Sequence, residues 1–442
     1  MRNRKGTETA GPAHATGRKP DVQRRKRRRH GPDAPWAEDP EGSSTLPTIP
    51  KDERRKNMGL NATQQRRRRQ RRARTREDRR HDRLAPCLDF DHVFGFQALY
   101  RAARECRAGV MWKNTVINFD KRRSLNCVLL AEELAAGTYR KRAPIRFDIH
   151  ERGKLRHISA VSFRDRVVQR ALCDNSLVPI VSGQLIHDNG ASLPGKGTAF
   201  ARRRFELHLG QALGQWERPC MAVFDCSDYF GSIDSTRAFR MIRERYLSIA
   251  RTEHERRDTE RILRILELFV RDEPHLGLGN QTSQTMAVWY LDRADHWAVE
   301  KGLYGRYMDD AYCICGSRRQ AETVFRGYAE VLRGLGLELN PRKSRIVDCR
   351  TETMTFLKRD YAVHDGHVEV RMNAKALRTA RRHARNLIRR YDGAHVGLRT
   401  VEDSWQSHKA TLTGLTHAHG LAEREAEWYR SHCAAKGVVF AP

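Results

Sequence analysis

The chain has 442 residues, 39% of them hydrophobic, with 84 Lys or Arg against 54 Asp or Glu and a formal net charge of +30. That apolar content can bury a core, so a wholly disordered chain is excluded, and the length suits two or three domains or one large catalytic domain with appendages. The charge excess goes far beyond what solubility needs and draws polyanions, nucleic acid first among them. An acidic membrane is the weaker alternative, since no run of about 18 apolar residues is present to span a bilayer. No apolar core follows the basic start as a secretory leader requires, and a cytoplasmic location is the default expectation. The ten cysteines are scattered, with no C-x-x-C pair and no His partner at zinc spacing, which argues against disulfides and structural zinc. Cys226 and Cys313 fall in apolar, strand-like stretches and read as small core residues.

Residues 1–83 hold 26 Lys or Arg against 11 Asp or Glu, a net of +15, half the charge of the whole chain. Low apolar content, early Pro, Gly and Ser, and the arginine runs at 24–29 and 66–80 mark a disordered basic tail, read as a sequence-independent grip on RNA or DNA phosphates. From Phe90 the texture changes to apolar clusters at helical spacing (Phe96, Leu99, Tyr100 and Ala103; then Leu130, Leu134 and Ala135). Strand-like runs follow at 144–149, 221–224 and 311–315, and amphipathic helices at 235–251, 259–270, 282–300 and 319–335. A hairpin-like stretch after Asp360 leads to an arginine-rich helix at 373–392. Strands and helices interleaved without a period predict an α+β fold rather than a repeat protein.

Two segments carry the chemistry. In Met221-Ala222-Val223-Phe224-Asp225 and in Tyr307-Met308-Asp309-Asp310 a carboxylate ends an apolar β-type run, and Ala311-Tyr312-Cys313-Ile314-Cys315 restarts the pattern, so Asp309 and Asp310 belong at a hairpin tip. Carboxylates crowded on such a frame are costly unless a cation neutralises them, and magnesium, a hard ion bound by carboxylates and phosphates, suits the role. Two such ions, roughly 4 Å apart, perform phosphoryl transfer to a growing strand, with manganese as an alternative. For a lone Asp-Asp pair a surface turn is the plainer reading; the surroundings decide. Lys154 and Arg156 alternate on a strand and can face one way to clamp a triphosphate. In Gly195-Lys196-Gly197 the glycines let backbone approach phosphate, a reading that stands level with a plain turn. Asp228 and Asp234 read as turn and cap residues.

In this order the motifs resemble the reverse-transcriptase family, over about Phe90 to Gly420. The Asp225 segment is similar to its first palm motif and Tyr307-Met308-Asp309-Asp310 to its catalytic hairpin. Residues 277–284, Gly-Leu-Gly-Asn-Gln-Thr-Ser-Gln, resemble the motif that supports template and incoming nucleotide. Leu339-Asn340-Pro341-Arg342-Lys343 resembles the following motif with its lysine, and Thr355-Phe356-Leu357-Lys358 the primer grip, with Lys358 where the family usually has Gly. Gly153-Lys154-Leu155-Arg156 and residues 163–169 resemble the fingers.

The resemblance implies a right-hand polymerase fold: a tail over 1–84, fingers and palm over 85–365 and a basic helical thumb over 366–442. It implies RNA-directed DNA synthesis with Asp225, Asp309 and Asp310 as metal ligands and catalytic residues, and with Lys343 as general acid to the leaving pyrophosphate. Substrate contacts fall on Lys154, Arg156, Lys196, Phe230, Leu278, Gly279, Ser283 and Gln284, with Phe230 excluding a 2′-hydroxyl. The expected partners are an RNA template, a DNA or RNA primer and deoxynucleoside triphosphates, with no membrane. Leu278-Gly279 and Ser283-Gln284, where retroviral and intron-encoded enzymes carry Gln-Gly and Ser-Pro, resemble enzymes of diversity-generating retroelements and related bacterial or phage lineages. The former copy a template repeat with errors at adenines and require a small accessory protein. A phage-defence or other unclassified bacterial enzyme, and a catalytically silent RNA-binding scaffold, are the alternatives.

Overall fold

The computed structural model describes residues 62–440 apart from 152–153, 272 and 393–395. Ala62–Leu84 forms a helix of 23 residues. The expectation of an unstructured tail running to residue 84 is corrected there, and residues 1–61 lie outside the described residues. Arg, Gln and Ala dominate residues 62–76, all good helix formers, with no Gly or Pro to interrupt them. The end of this helix is anchored by Asp78 to Arg251 at 2.8 Å and by His81 to Glu255 at 2.9 Å.

The centre is a four-stranded sheet in the order β4-β5-β3-β6, formed by β3 (Cys220–Phe224), β4 (Leu303–Tyr307), β5 (Asp310–Cys315) and β6 (Arg345–Asp348), with all its pairs antiparallel. Its two central strands read as unbroken apolar runs because both faces are covered. Cys220, Ala222, Phe224, Cys313 and Cys315 point into the main core, while Met221, Tyr312 and Ile314 point into a second core. Phe205 anchors that second core from the helix Thr198–Gln215, with Phe356 and Tyr361 opposite. Cys226 and Cys313 are buried, as their setting in apolar runs requires.

A separate antiparallel hairpin, β1 (Ile145–Glu151) with β2 (Lys154–Ala160), meets the main body where Ser159 N–H donates to the Leu278 carbonyl at 3.2 Å. The expected helix over 282–300 is broken into Gln281–Tyr290 and Asp292–Val299. The break coincides with a contact from a later strand: the Arg306 guanidinium takes the Val288 carbonyl at 2.9 Å, the acceptor that a continuous helix would offer to Asp292.

A three-stranded sheet follows, made of β7 (Met354–Phe356), β8 (Arg359–His364) and β9 (His367–Met372). The expected boundary after residue 365 falls inside the β8–β9 turn, since His364 pairs with His367. The helical region starts at Ala374–Arg389 and continues through Leu398–Leu412 and Ala418–Ala434, around a core of Ile388, Val401, Trp405, Tyr429 and Phe440. Glu425 is fully buried among these helices, where it pairs with Arg381 and lies 3.1 Å from His408 Nε2. Among the described residues no helix is long and apolar enough to cross a membrane.

The turn between β7 and β8 resolves the question raised by Lys358. Phe356 pairs with Arg359, leaving Leu357 and Lys358 as a two-residue loop at φ 47° and 68°, both in the left-handed region. Glycine is preferred there because a Cβ is strained. The turn is held from outside instead: Arg202 donates to the Leu357 carbonyl at 2.8 and 3.2 Å, and Asn373 N–H to that of Lys358 at 3.0 Å. Lys358→Gly is therefore expected to stabilise the protein by about 0.5–1 kcal/mol, read as a raised denaturation midpoint. A lowered midpoint would show that the lysine side chain contributes more than its backbone strain costs.

Candidate active site

Asp225 is the first residue beyond β3, and its carboxylate is buried at 6% exposure. Its backbone is fixed by a neighbouring segment, with Asn340 N–H donating to its carbonyl at 2.7 Å and its own N–H donating to Ser344 Oγ at 3.1 Å. Ser227 N–H donates to the Glu338 carbonyl at 2.9 Å, so residues 338–344 run along the strand end. That course seats Lys343 on Asp225, its ammonium donating to the two carboxylate oxygens at 2.8 and 2.7 Å.

Asp309 and Asp310 arrive from the β4–β5 hairpin, as its predicted tip. Tyr307 pairs with Asp310, and Met308 and Asp309 make the turn, Met308 at φ 56°. In the strand below, Gly305 faces Tyr312 so closely that a Cβ would stand 2.5 Å from the Tyr312 hydroxyl, which excludes any side chain at 305. Burial pushes the Asp310 carboxyl up to about 7, with the charges of Asp309 and Asp225 adding to it and Lys343 opposing. On Lys343 burial works downward, but the hydrogen bond and charge of Asp225, joined by Asp310 and Asp309, hold the ammonium above its ordinary value.

Asp225 and Asp309, with Lys343, line one side of a cleft of about 880 Å³. Phe147 and His157 of the β1–β2 hairpin, with Phe230 and Leu278, line the rest. Asp228 takes the left-handed conformation at φ 40° and starts the short helix Tyr229–Ser232. Tyr229 turns into the core and donates to the Ala287 carbonyl, leaving Phe230 half-buried in the cleft. Asp234 caps the next helix through Arg237 N–H at 2.6 Å, so both acids take the turn and cap places expected of them. Gly279, at φ 107°, lies against the hairpin, where a Cβ would come within 3.2 Å of Ile158.

Not every expected residue is brought in. Ser283 is buried in its helix at 2% exposure, and neither it nor Gln284 lines the cleft; both belong to a helix whose start, not its body, meets the hairpin. Lys196 is committed elsewhere, donating to the His187 carbonyl at 2.6 Å and standing 4.9 Å from the Phe200 ring, so the Gly195-Lys196-Gly197 segment is an internally tied turn. Lys154 and Arg156 do lie on one strand with the expected alternation, pairing with Glu151 and Ile149, but their side chains lie outside the described residues. Sequence reasoning missed Ser344, whose hydroxyl also donates to the Asp225 carbonyl at 3.2 Å, and Arg146 and Glu273, an ion pair at 2.9 Å across the cleft wall. A serine, or an arginine remote in sequence from its acid, carries no spacing signal.

The donor set suits a magnesium or manganese ion: three carboxylates with no soft ligand, one of which, Asp310, is pushed toward its protonated form by burial and by the charges of the other two. Among the described residues the three-member set of ligand atoms lying within 4.8 Å of one another is a different one, Asp89, His254 and Asp258. There Asp89 caps a helix through His92 N–H and Asp258 is paired with Arg261, which accounts for both acids structurally. At Asp225 the Lys343 ammonium holds the place a dication would neutralise.

No protein-family model matches this chain, and no curated protein matches it. Among solved structures it is similar to telomerase from Candida albicans in complex with a TWJ fragment of telomeric RNA, at 11% identity and a TM-score of 0.40. The match covers 68% of this chain and 56% of that one, so the chain spans little more than half the length of that relative. A similarity at this level assigns neither family nor activity.

Proposed function

We propose that the chain is an RNA-directed DNA polymerase of the reverse-transcriptase class, with the four-stranded sheet as palm, the β1–β2 hairpin as part of the fingers and the helices from Ala374 as thumb. The observation that carries this reading is the convergence of Asp225 and the Asp309-Asp310 hairpin at one end of the two central strands, beside a cleft walled by Phe230 and Leu278. Asp225, Asp309 and Asp310 would hold two magnesium ions, which supply an activated 3′-oxygen and charge stabilisation at the leaving pyrophosphate. The chain's own part is to bring three acids together in a half-dry site and to hold Lys343 protonated beside them. Once it leaves Asp225, that ammonium is the proton donor for the pyrophosphate. We further place the enzyme with the diversity-generating or related prophage retroelements, because Leu278 offers only apolar contact where an amide would hydrogen-bond.

Purified protein with an annealed primer on RNA and deoxynucleotides, in magnesium and in manganese, tests the proposal. Templated extension is expected. Failure with both ions and with DNA and RNA primers alike would leave the silent RNA-binding scaffold as the better reading. The same assay tests the sugar gate: Phe230→Ala should raise ribonucleotide incorporation relative to deoxynucleotide by at least about tenfold, because about 1.4 kcal/mol of steric discrimination is lost. An unchanged ratio would move the gate elsewhere in the cleft.

A further inference from the structure

Arg306 is the largest charged side chain in the core, with its guanidinium completely buried. Its nitrogens meet three acceptors. Nε and Nη2 fork onto the two oxygens of Asp295 at 2.7 and 2.5 Å, Nη2 also reaches the Val288 carbonyl at 2.9 Å, and Nη1 donates to the Met308 carbonyl at 2.9 Å. Asp295 is equally buried and takes the Tyr304 hydroxyl at 2.7 Å. The backbone of Arg306 is held as well: its N–H donates to the Asp188 carbonyl at 3.0 Å and its carbonyl accepts from Gly190 N–H at 2.9 Å, which closes the free edge of β4.

Stability alone does not call for this arrangement, because apolar side chains of similar volume commonly serve as well as a buried ion pair. What an apolar pair cannot do is hold the Met308 carbonyl. Met308 sits in the left-handed region, which methionine does not adopt by preference, and its carbonyl belongs to the peptide that leads into Asp309. Fixing that oxygen fixes the plane of the peptide, and with it the direction in which the two acids leave the turn.

We infer that Arg306, clamped by Asp295, is a positioning residue that pre-forms the metal-binding hairpin. The inference rests on the two-metal reading above, and it concerns how well the site binds metal rather than whether the chain folds. Arg306→Lys keeps a charge for Asp295 but has a single head that cannot also span to Met308. It is expected to weaken manganese binding, measured by calorimetry without nucleotide, by about tenfold, as loss of an outer-shell support does. The magnesium concentration for half-maximal extension should rise in step, with the primer–template KM unchanged. Met308→Gly, which removes the strain that Arg306 opposes, should recover part of the lost affinity in the Arg306→Lys background.

A folded Arg306→Lys protein with wild-type manganese affinity would overturn the inference, and so would a double variant no better than the single one. If Arg306→Lys does not fold, Tyr304→Phe removes one hydrogen bond from Asp295 without stranding a charge and should weaken manganese binding by about threefold; wild-type affinity there is equally fatal. A wild-type protein that binds metal and extends primers while the variants match it defeats this inference alone. A wild-type protein that does neither defeats the polymerase reading and the inference with it.

Discussion

Replacing Asp309 by Asn should abolish primer extension, by more than about a hundredfold, while leaving RNA binding nearly intact. The substitution keeps the shape of the side chain and removes one negative charge from a site proposed to hold cations. Asp309 lies at the tip of a two-residue turn bordering the cleft, so its loss leaves the sheet beneath undisturbed. The proposed affinity for RNA would come from a different source, counterion release by basic side chains, and those are plentiful elsewhere, as on the exposed Arg66, Arg67, Arg69 and Arg71. The two quantities therefore separate. Extension is read on a labelled primer, binding by titration at two salt concentrations. Full extension by the variant would remove Asp309 from the mechanism, and a parallel loss of binding would mean that the change had damaged the fold.

Asp225 and the Asp309-Asp310 pair were legible in the sequence because their position is a property of short segments. An apolar run that stops at an acid, and another that restarts after one, state where a strand ends and where a hairpin turns. Phe230 and Leu278 were singled out by the family resemblance alone, and both line the cleft. The unbroken apolar runs, without alternation, also agree with burial of both faces of β3 and β5. What was not legible depends on groups far apart in the chain. Lys343 reaches Asp225 across 118 residues. The helix break at Leu291 coincides with a contact from an arginine on a later strand, whereas Lys196 is drawn to a nearer competitor, the His187 carbonyl. Ser283 has a residue type that fits the expected contact, yet helical phase turns it into the core, and phase over so short a helix is not readable without its packing partners. The arginine run before Leu84 misled differently: composition said tail, while helix propensity, summed over a segment without Gly or Pro, was the better guide.

Asp310 links stability to the same chemistry. Its carboxyl rises from 3.8 to about 7 through burial and through the charges of Asp309 and Asp225. A group whose folded-state pKa is raised favours the folded protein only while it is protonated. The sign follows: stability is undiminished below pH 4, falls as pH rises because the unfolded chain ionises first, and levels off once the folded carboxyl ionises above 7. Three units at about 1.4 kcal/mol each put the loss at pH 8 on the order of 4 kcal/mol at most. Asp310→Asn keeps the shape and hydrogen-bonding capacity but never charges. In metal-free buffer the variant should therefore be more stable than the wild type at pH 8, by about 2–4 kcal/mol, with the difference reduced to about 1 kcal/mol at pH 4.5. Denaturation midpoints across that range, with chelator present, provide the measurement. Magnesium then separates the causes: it should stabilise the wild type at pH 8 by neutralising the three acids and have little effect on the variant, which has lost a ligand. A variant destabilised at both pH values would show that Asp310 is structural. A gain that does not grow with pH would show that its carboxyl is not held protonated by its neighbours. The expected pattern, a protein made more stable by removing a group its proposed reaction needs, is the physical signature of carboxylates assembled for a cation rather than for the fold.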